Sequence, residues 1–506
     1  MYIEPSTTVR VLTNVPLDKT YEHTIYFSST SAQQSYFTGK TKYTFNNLTF
    51  QRVRSGVIRV QAKSANLYDC NYLMFNNNEF ADSRWFYAFI TGVDYVNNNT
   101  AEITYEMDVM QTWFFDHTPK MCFVEREHPV SDAIGSNLVP ENVELGEYVY
   151  GNVQRTGYFD QSWYYLVAST VDESMADAIG ETYGGVYSPV EMLCFTSETS
   201  LNSFFKKIAD NGKQDAIIAV IPMPRFLADG GQWATQSIFK QISVPKSYSL
   251  GYTPKNNKLF TYPYNFLYVT NLNGNSAVYP YEYFSTSSCN FSFGGDVSCN
   301  PTFLCVPRNY KNVNDNYDEK LTLSGLPQCA YVTDAFKAWL AQNASNLAVS
   351  AISTVGGAAV AGATFAGGVG AAAGAIVGLG TVVGNLLAQV HKSSIQPPQA
   401  GGGQGSNAMV AFRQFDFLFC NKHIRPEFAE IIDEYFTKFG YATKQLKTPN
   451  RNSRPHWNYV KTVGCTITGN VPADDMYKIC DIYDNGITFW KNGNEIGDYS
   501  LNNRPT

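Results

Sequence analysis

Charge is scarce in this chain. Asp, Glu, Lys and Arg make up 16% of its 506 residues, where an ordinary soluble domain carries about 25%. The shortage is local: from Ala338 to Val390 there is no Asp, Glu, Lys or Arg in 53 residues. A basic surface is missing too, since the net charge is −7. That argues against an open nucleic-acid-binding face of the usual kind. It does not exclude a conduit through which DNA slides, because such a wall should not grip phosphate. The opening run MYIEPSTTVRVLTNVPLDKT has no basic stretch followed by an apolar one, so no secretory signal is expected. The 10 cysteines form no C-x-x-C pair. Cys289, Cys299 and Cys305 stand closest, at spacings unlike a zinc site. Reduced thiols in a protein folded in a cytosol are the expectation.

Signatures of catalysis are equally absent. Gly39-Lys40-Thr41 resembles the end of a phosphate-binding loop, but its first glycine would be position 34, which is Gln34. Gly401-Gly402-Gly403 has no lysine after it. Glu125-Arg126-Glu127-His128 is not H-E-x-x-H, the six histidines show no metal spacing, and no G-x-S-x-G elbow occurs. Asp474-Asp475 reads as the solvated start of a helix. These absences predict a protein that is not an enzyme and has no catalytic residue, metal site or cofactor.

What the chain does have is aromatic content: 15%, with 34 Tyr and 33 Phe. Aromatics pack well on pleated surfaces, so strands are expected. Trp85–Trp113 reads as a hairpin turning at Asn97-Asn98-Asn99. In Ala101–Val109 the residues Ala101, Ile103, Tyr105, Met107 and Val109 point one way, and Glu102, Thr104, Glu106 and Asp108 the other. The acidic face has two readings, an ordinary wet surface or the lining of a channel. Tyr262–Tyr283 is dense in Tyr and Pro and reads either as packing among strands or as a glycan-binding surface. Thr333 and Asp334 can cap a helix that includes Phe336, Trp339 and Leu340. Near the C-terminus, Pro426 to Phe439 has Phe428, Ile431, Ile432, Tyr435, Phe436 and Phe439 at helical spacing, with Gly440 as its stop. Tyr459–Thr468 alternates like a strand, Asp474–Tyr483 suits a short helix, and Asn485-Gly486 turns into a strand over Ile487–Trp490.

The core of the uncharged segment, Leu347–Ala388, is 42 residues with 12 Ala and 10 Gly. Its larger apolar residues are spread out: Ile352, Val355, Val360, Phe365, Val369, Ile376, Val377, Leu379, Val382, Val383, Leu386 and Leu387. A bilayer-spanning helix takes roughly 20 apolar residues, so this core has length for two passes, turning near Gly367-Gly368. Gly370, Gly374 and Gly378, and again Gly380 and Gly384, repeat at four-residue intervals, a spacing that lets helices approach closely in lipid. The same glycines make a poor helix in water, at roughly 0.8–1.0 kcal/mol each relative to Ala. The segment therefore suits a loop in one setting and a helical pair in another. Its return, from Ile395 through Pro397 and Pro398 to Gly405, has the composition of a flexible linker.

Three stretches carry a resemblance. They are Trp85–Asp116 (WFYAFITGVDYVNNNTAEITYEMDVMQTWFFD), Met121–Tyr148 (MCFVEREHPVSDAIGSNLVPENVELGEY) and Val471–Trp490. Together they resemble the tail knob, or distal tail tube, proteins of small short-tailed podoviruses of the phi29 type. The resemblance implies a mainly β fold with some α. A tube domain would be built from the N-terminal part, 1–150, and the C-terminal α+β part, 411–506. Residues 151–332 would form one or more β-rich knob domains, and 333–410 the apolar loop with its return linker. It further implies a homohexameric tube at the virion tail tip, assembled in the host cytoplasm. A proximal tail or lower collar protein and a tail-tip wall-lytic protein would be its neighbours, and genomic DNA would pass through it without specific binding. Leu347–Ala388 would plug the lumen and then enter the host cytoplasmic membrane as a channel. Glu102, Glu106 and Asp108 become candidate lumen lining. A different class of reading is a tail protein that binds a receptor, or binds or degrades wall glycans, through its Tyr-rich loops.

Overall fold

The computed structural model describes residues 6–49, 55–77, 84–156, 163–177, 181–183, 186–188, 190–224, 238–271, 274–296, 302–323 and 416–505. The described chain is rich in strands and falls into two units. The first comprises Met1–Glu147, Leu250–Thr261 and Arg425–Thr506; the second comprises Tyr148–Ser249 and Tyr262–Ile424.

In the first unit a six-stranded antiparallel sheet runs in the order Thr41–Leu48, Thr7–Thr13, Cys70–Asn77, Trp85–Asn97, Thr100–Met107, Ser55–Val60. A five-stranded sheet joins His23–Ile25, Ile487–Trp490, Trp457–Val463, Cys122–Glu127 and Tyr441–Lys447. Its first pair is parallel and draws the two ends of the sequence together. One apolar core serves both: Val9, Tyr72, Phe86 and Ile103 share it with Ile479, Tyr483 and Phe489. Each such side chain withdrawn from water is worth about 1.5–3 kcal/mol. N- and C-terminal parts are thus one folding unit. Trp113 adds a polar tie, its indole N–H donating to Asp475 at 2.9 Å.

The hairpin forms as its alternation requires, with Trp85–Asn97 paired to Thr100–Met107. The helix Pro426–Phe439 also forms, with proline in its first turn and Gly440 at its end in the left-handed region (φ 64°). Its buried face differs from the expected one. Ala429, Ile432, Asp433, Phe436 and Thr437 are buried, while Ile431 is 66% exposed. Asp433 turns inward because its carboxylate accepts the backbone N–H groups of Lys255 (2.7 Å) and Asn256 (3.0 Å). The stretch read as one strand over Tyr459–Thr468 is two, Trp457–Val463 and Ile467–Gly469, separated at Gly464 with φ 65°. The late helix spans Ala473–Asn485.

The second unit is built of smaller sheets. One orders Tyr148–Arg155, Leu418–Ile424, Asn265–Thr270 and Ser276–Tyr279. Another joins Ile238–Pro245, Ser288–Asp296, Thr302–Tyr310 and Val313–Asp315. A third holds Glu191–Phe195, Trp163–Ser169 and Ile217–Pro224. Phe291, Phe293, Phe303, Phe417 and Phe419 meet in its main core.

Candidate functional surface

The strand Thr100–Met107 has its alternate residues Ala101, Ile103, Tyr105 and Met107 buried, with Glu102, Thr104 and Glu106 half-exposed on the other face. Register shows what stands beside the acids. Arg59 lies opposite Glu102 and donates its Nε–H to that carboxylate at 2.7 Å. On the other side Asp94 is paired with Glu102. The row is therefore Asp94, Glu102 and Glu106 with one guanidinium set into it. Such an exposed pair adds only about 0–1 kcal/mol, so it orients side chains more than it stabilises the sheet. Neither Arg59 nor Asp94 was singled out in the sequence. Only Ile58-Arg59-Val60 alternates in the strand Ser55–Val60, a short signal for Arg59.

Asp108 does not belong to that row. It is 2% exposed, and the strand stops one residue before it. Its carboxylate accepts the Gln111 backbone N–H at 3.0 Å, capping the short helix Val109–Thr112. The Tyr72 hydroxyl donates to it at 2.8 Å. Burial pushes its carboxyl up to about 6 against the pull of these hydrogen bonds. An Asp followed three residues later by a helical N–H is a cap before it is part of a strand, and a buried cap cannot line a lumen.

The twelve apolar residues from Ile352 to Leu387, the glycines from Gly370 to Gly384 and the helix expected after Thr333 lie outside the described residues. Among the described residues no helix is long and apolar enough to cross a membrane, and no group of His, Cys, Asp or Glu is arranged to hold a metal ion. The eight cysteines that are described are free thiols.

The Tyr-rich stretch is largely interior. Tyr264, Tyr279 and Tyr281 are buried, whereas Tyr262 and Tyr283 are exposed. On the sheet beside it, Tyr148, Tyr150 and Tyr268 surround the Lys422 ammonium at 5.2, 5.4 and 5.1 Å from their ring centroids. The protein's own lysine thus fills this aromatic cage.

In the first unit Phe123, Leu446 and Val463 lie side by side on three adjacent strands, since Phe123 is paired with both of the others. All three are exposed, Leu446 at 71%. Met121, two residues along, is exposed as well. Single exposed apolar residues are ordinary; these stand in a contiguous row.

Comparison with known proteins is consistent across sequence and fold. The family model for the C-terminal domain of the Bacillus phage phi29 tail knob protein gp9 matches residues 232–504. A model for the caudoviral major tail protein N-terminus matches residues 5–118. The tail knob proteins gp9 of Bacillus phages B103 and phi29 are each 25% identical, over 98% of this chain and 98% of theirs. The solved structure of the bacteriophage C1 tail knob protein, gp12, is similar in fold, with a TM-score of 0.63, 15% identity, and coverage of 98% of this chain and 99% of that one. The chain belongs to the tail knob protein family of phi29-type short-tailed phages, which are structural components of the virion tail rather than enzymes.

Proposed function

We propose that this protein forms the distal tail tube and knob as a homohexamer, carries the genome during ejection, and opens the host cytoplasmic membrane with its apolar loops. The observation that carries the reading is the 53-residue run without a charged side chain, Ala338–Val390, inside a tail knob protein whose remaining sequence is polar and β-rich. In a hexamer, six such loops packed together form a shared apolar plug, so no subunit shows water a patch far above a few hundred Å². In hydrocarbon the loops satisfy their backbones as helices. The twelve larger apolar residues from Ile352 to Leu387 are the insertion residues, and Gly370, Gly374, Gly378, Gly380 and Gly384 the points of close helix approach. The tube is the unit that joins the two ends of the chain. Its apolar row at Phe123, Leu446 and Val463 supports contact with a neighbouring subunit.

Glu102 and Glu106, with Asp94 beside them, form the lumen wall in this reading, where repulsion keeps phosphates moving. Glu102→Lys with Glu106→Lys should slow DNA ejection from reconstituted virions; ejection at the parental rate removes these residues from the wall. The tube docks on a proximal tail or lower collar protein and carries a tail-tip wall-lytic protein. The loop itself is tested by dye release from liposomes, comparing the intact protein with one lacking Leu347–Gly405.

A further inference from the structure

In the second unit, the sheet of Tyr148–Arg155, Leu418–Ile424, Asn265–Thr270 and Ser276–Tyr279 has one face in a core and one face open. Phe419, Leu267, Val269 and Tyr279 belong to the core. The other face carries aromatic rings. Tyr150 is paired with Lys422, and Lys422 with Phe266. Side chains two apart along a strand share a face, which adds Tyr148 and Tyr268. Tyr150 and Tyr268 have ring centroids 6.2 Å apart, and Phe266 stands 5.5 Å from both Tyr148 and Tyr262. Tyr150 and Tyr262 are exposed, as are Val153 and Val278 in the row through Cys420 and Tyr268.

Two cations sit on this face. Lys422 is ringed by Tyr148, Tyr150 and Tyr268. Arg155 is paired with Leu418, in the same register and on the same face. Among the described residues neither cation has a carboxylate or a hydrogen-bond acceptor. Acids in this part of the unit are engaged elsewhere. Asp416 accepts from the Thr156 hydroxyl and the Phe417 N–H. Glu282 accepts the Tyr262 N–H at 3.1 Å and interacts with Lys246. Rings attract an ammonium without neutralising it, so the face is positive and aromatic in a chain of net charge −7. The Tyr150 and Tyr268 hydroxyls are also without partners among the described residues.

We propose that this face binds an acidic oligosaccharide, with sugar rings stacked on Tyr150 and Tyr268 and anionic substituents accepting from Lys422 Nζ and the Arg155 guanidinium. A sugar ring has an apolar face for the phenol rings and hydroxyl groups for their O–H. Its carboxylates or phosphates form charge-assisted hydrogen bonds with the two cations. Leu418 and Lys422 are about 13 Å apart along an extended strand, so a short chain of sugars, rather than one ring, reaches both cations. A nucleic-acid strand carries a charge at every nucleotide and asks for a longer run of cations. A purely apolar partner would bury both cations without compensation. Membrane opening by the apolar segment neither requires nor excludes this site.

The test uses the full-length protein and titration calorimetry. Trigalacturonate supplies carboxylates and mannopentaose phosphate a phosphate; each is compared with its neutral form, the methyl ester and mannopentaose. At least one acidic probe should bind more tightly than its neutral form, with a preference that fades as salt is raised. Lys422→Gln should weaken that acidic probe by about ten-fold and leave the neutral form unchanged. Tyr150→Ala should weaken both members of the pair. Tyr150 is exposed, so this variant keeps the test open if Lys422→Gln does not fold. No binding by either acidic probe, or equal binding by parent and variants, would overturn the assignment. An oligothymidylate that binds more tightly than every sugar would overturn it as well, and would make the face a nucleic-acid site.

Discussion

Asp108 and Glu141 are both buried carboxylates, and their surroundings give them opposite consequences. Asp108 has hydrogen bonds and no cation among the described residues, and burial holds its carboxyl at about 6, above the ordinary 3.8. The folded state therefore binds this proton more tightly than the unfolded chain does. As pH rises from about 4 to about 6 that advantage is lost, lowering stability by about 3 kcal/mol, and the contribution is flat above. Asp108→Asn keeps a cap acceptor and removes the titration. Its unfolding free energy minus that of the parent should rise across this window and level off above it; a flat difference would contradict the assignment. His128, which burial lowers to about 3, loses stability as pH falls below its unfolded value. That opposite trend is common to both proteins and cancels in the difference. Glu141 has a side chain with no exposure and pairs with both Arg126 and Lys258, while the Ala442 N–H donates to it at 2.8 Å. Glu141→Ala leaves two sequestered cations and should cost about 3–5 kcal/mol in urea denaturation. A loss below about 1 kcal/mol would mean the pairs are solvated.

Elements were legible in the sequence where local rules agreed with tertiary ones. The hairpin had both period-2 alternation and an Asn-rich turn, and the helix Pro426–Phe439 had proline at its start and glycine at its end. The need for that glycine is steric: a Cβ at Gly440 would lie 2.2 Å from the Glu127 carbonyl oxygen. Gly440→Ala should therefore cost at least about 2 kcal/mol, read as a lower denaturation midpoint with helix content unchanged in the folded protein. What local patterns did not reveal depends on partners far along the chain. Ile431 is more apolar than Asp433, yet Asp433 is the one turned inward, toward backbone amides 177 and 178 residues away. Asp108 continues an alternating pattern, but the Gln111 amide claims it as a cap. Leu250–Thr261 joins the first unit without any local signal, because what holds it there is Asp433, Asp132 and Glu141 rather than its own periodicity.

At the scale of the whole molecule, two features of the chain pull against each other. A polar, aromatic-rich β protein folds around its own cores, and a long uncharged segment has no charged face to show water. Assembly resolves this in our reading, with the shared plug on the inside and the apolar row of Phe123, Leu446 and Val463 between subunits. Leu446→Glu with Val463→Glu should leave the subunit folded, since both side chains are exposed, and should shift sedimentation toward monomer. Unchanged assembly would place the subunit contact elsewhere. The most direct measurement remains dye release from liposomes across pH and lipid composition, with the intact protein and the form lacking Leu347–Gly405 both imaged to confirm assembly. The account predicts leakage from the intact protein that disappears with the deletion. Equal leakage from both, or none from either under any condition, would contradict membrane opening by this segment.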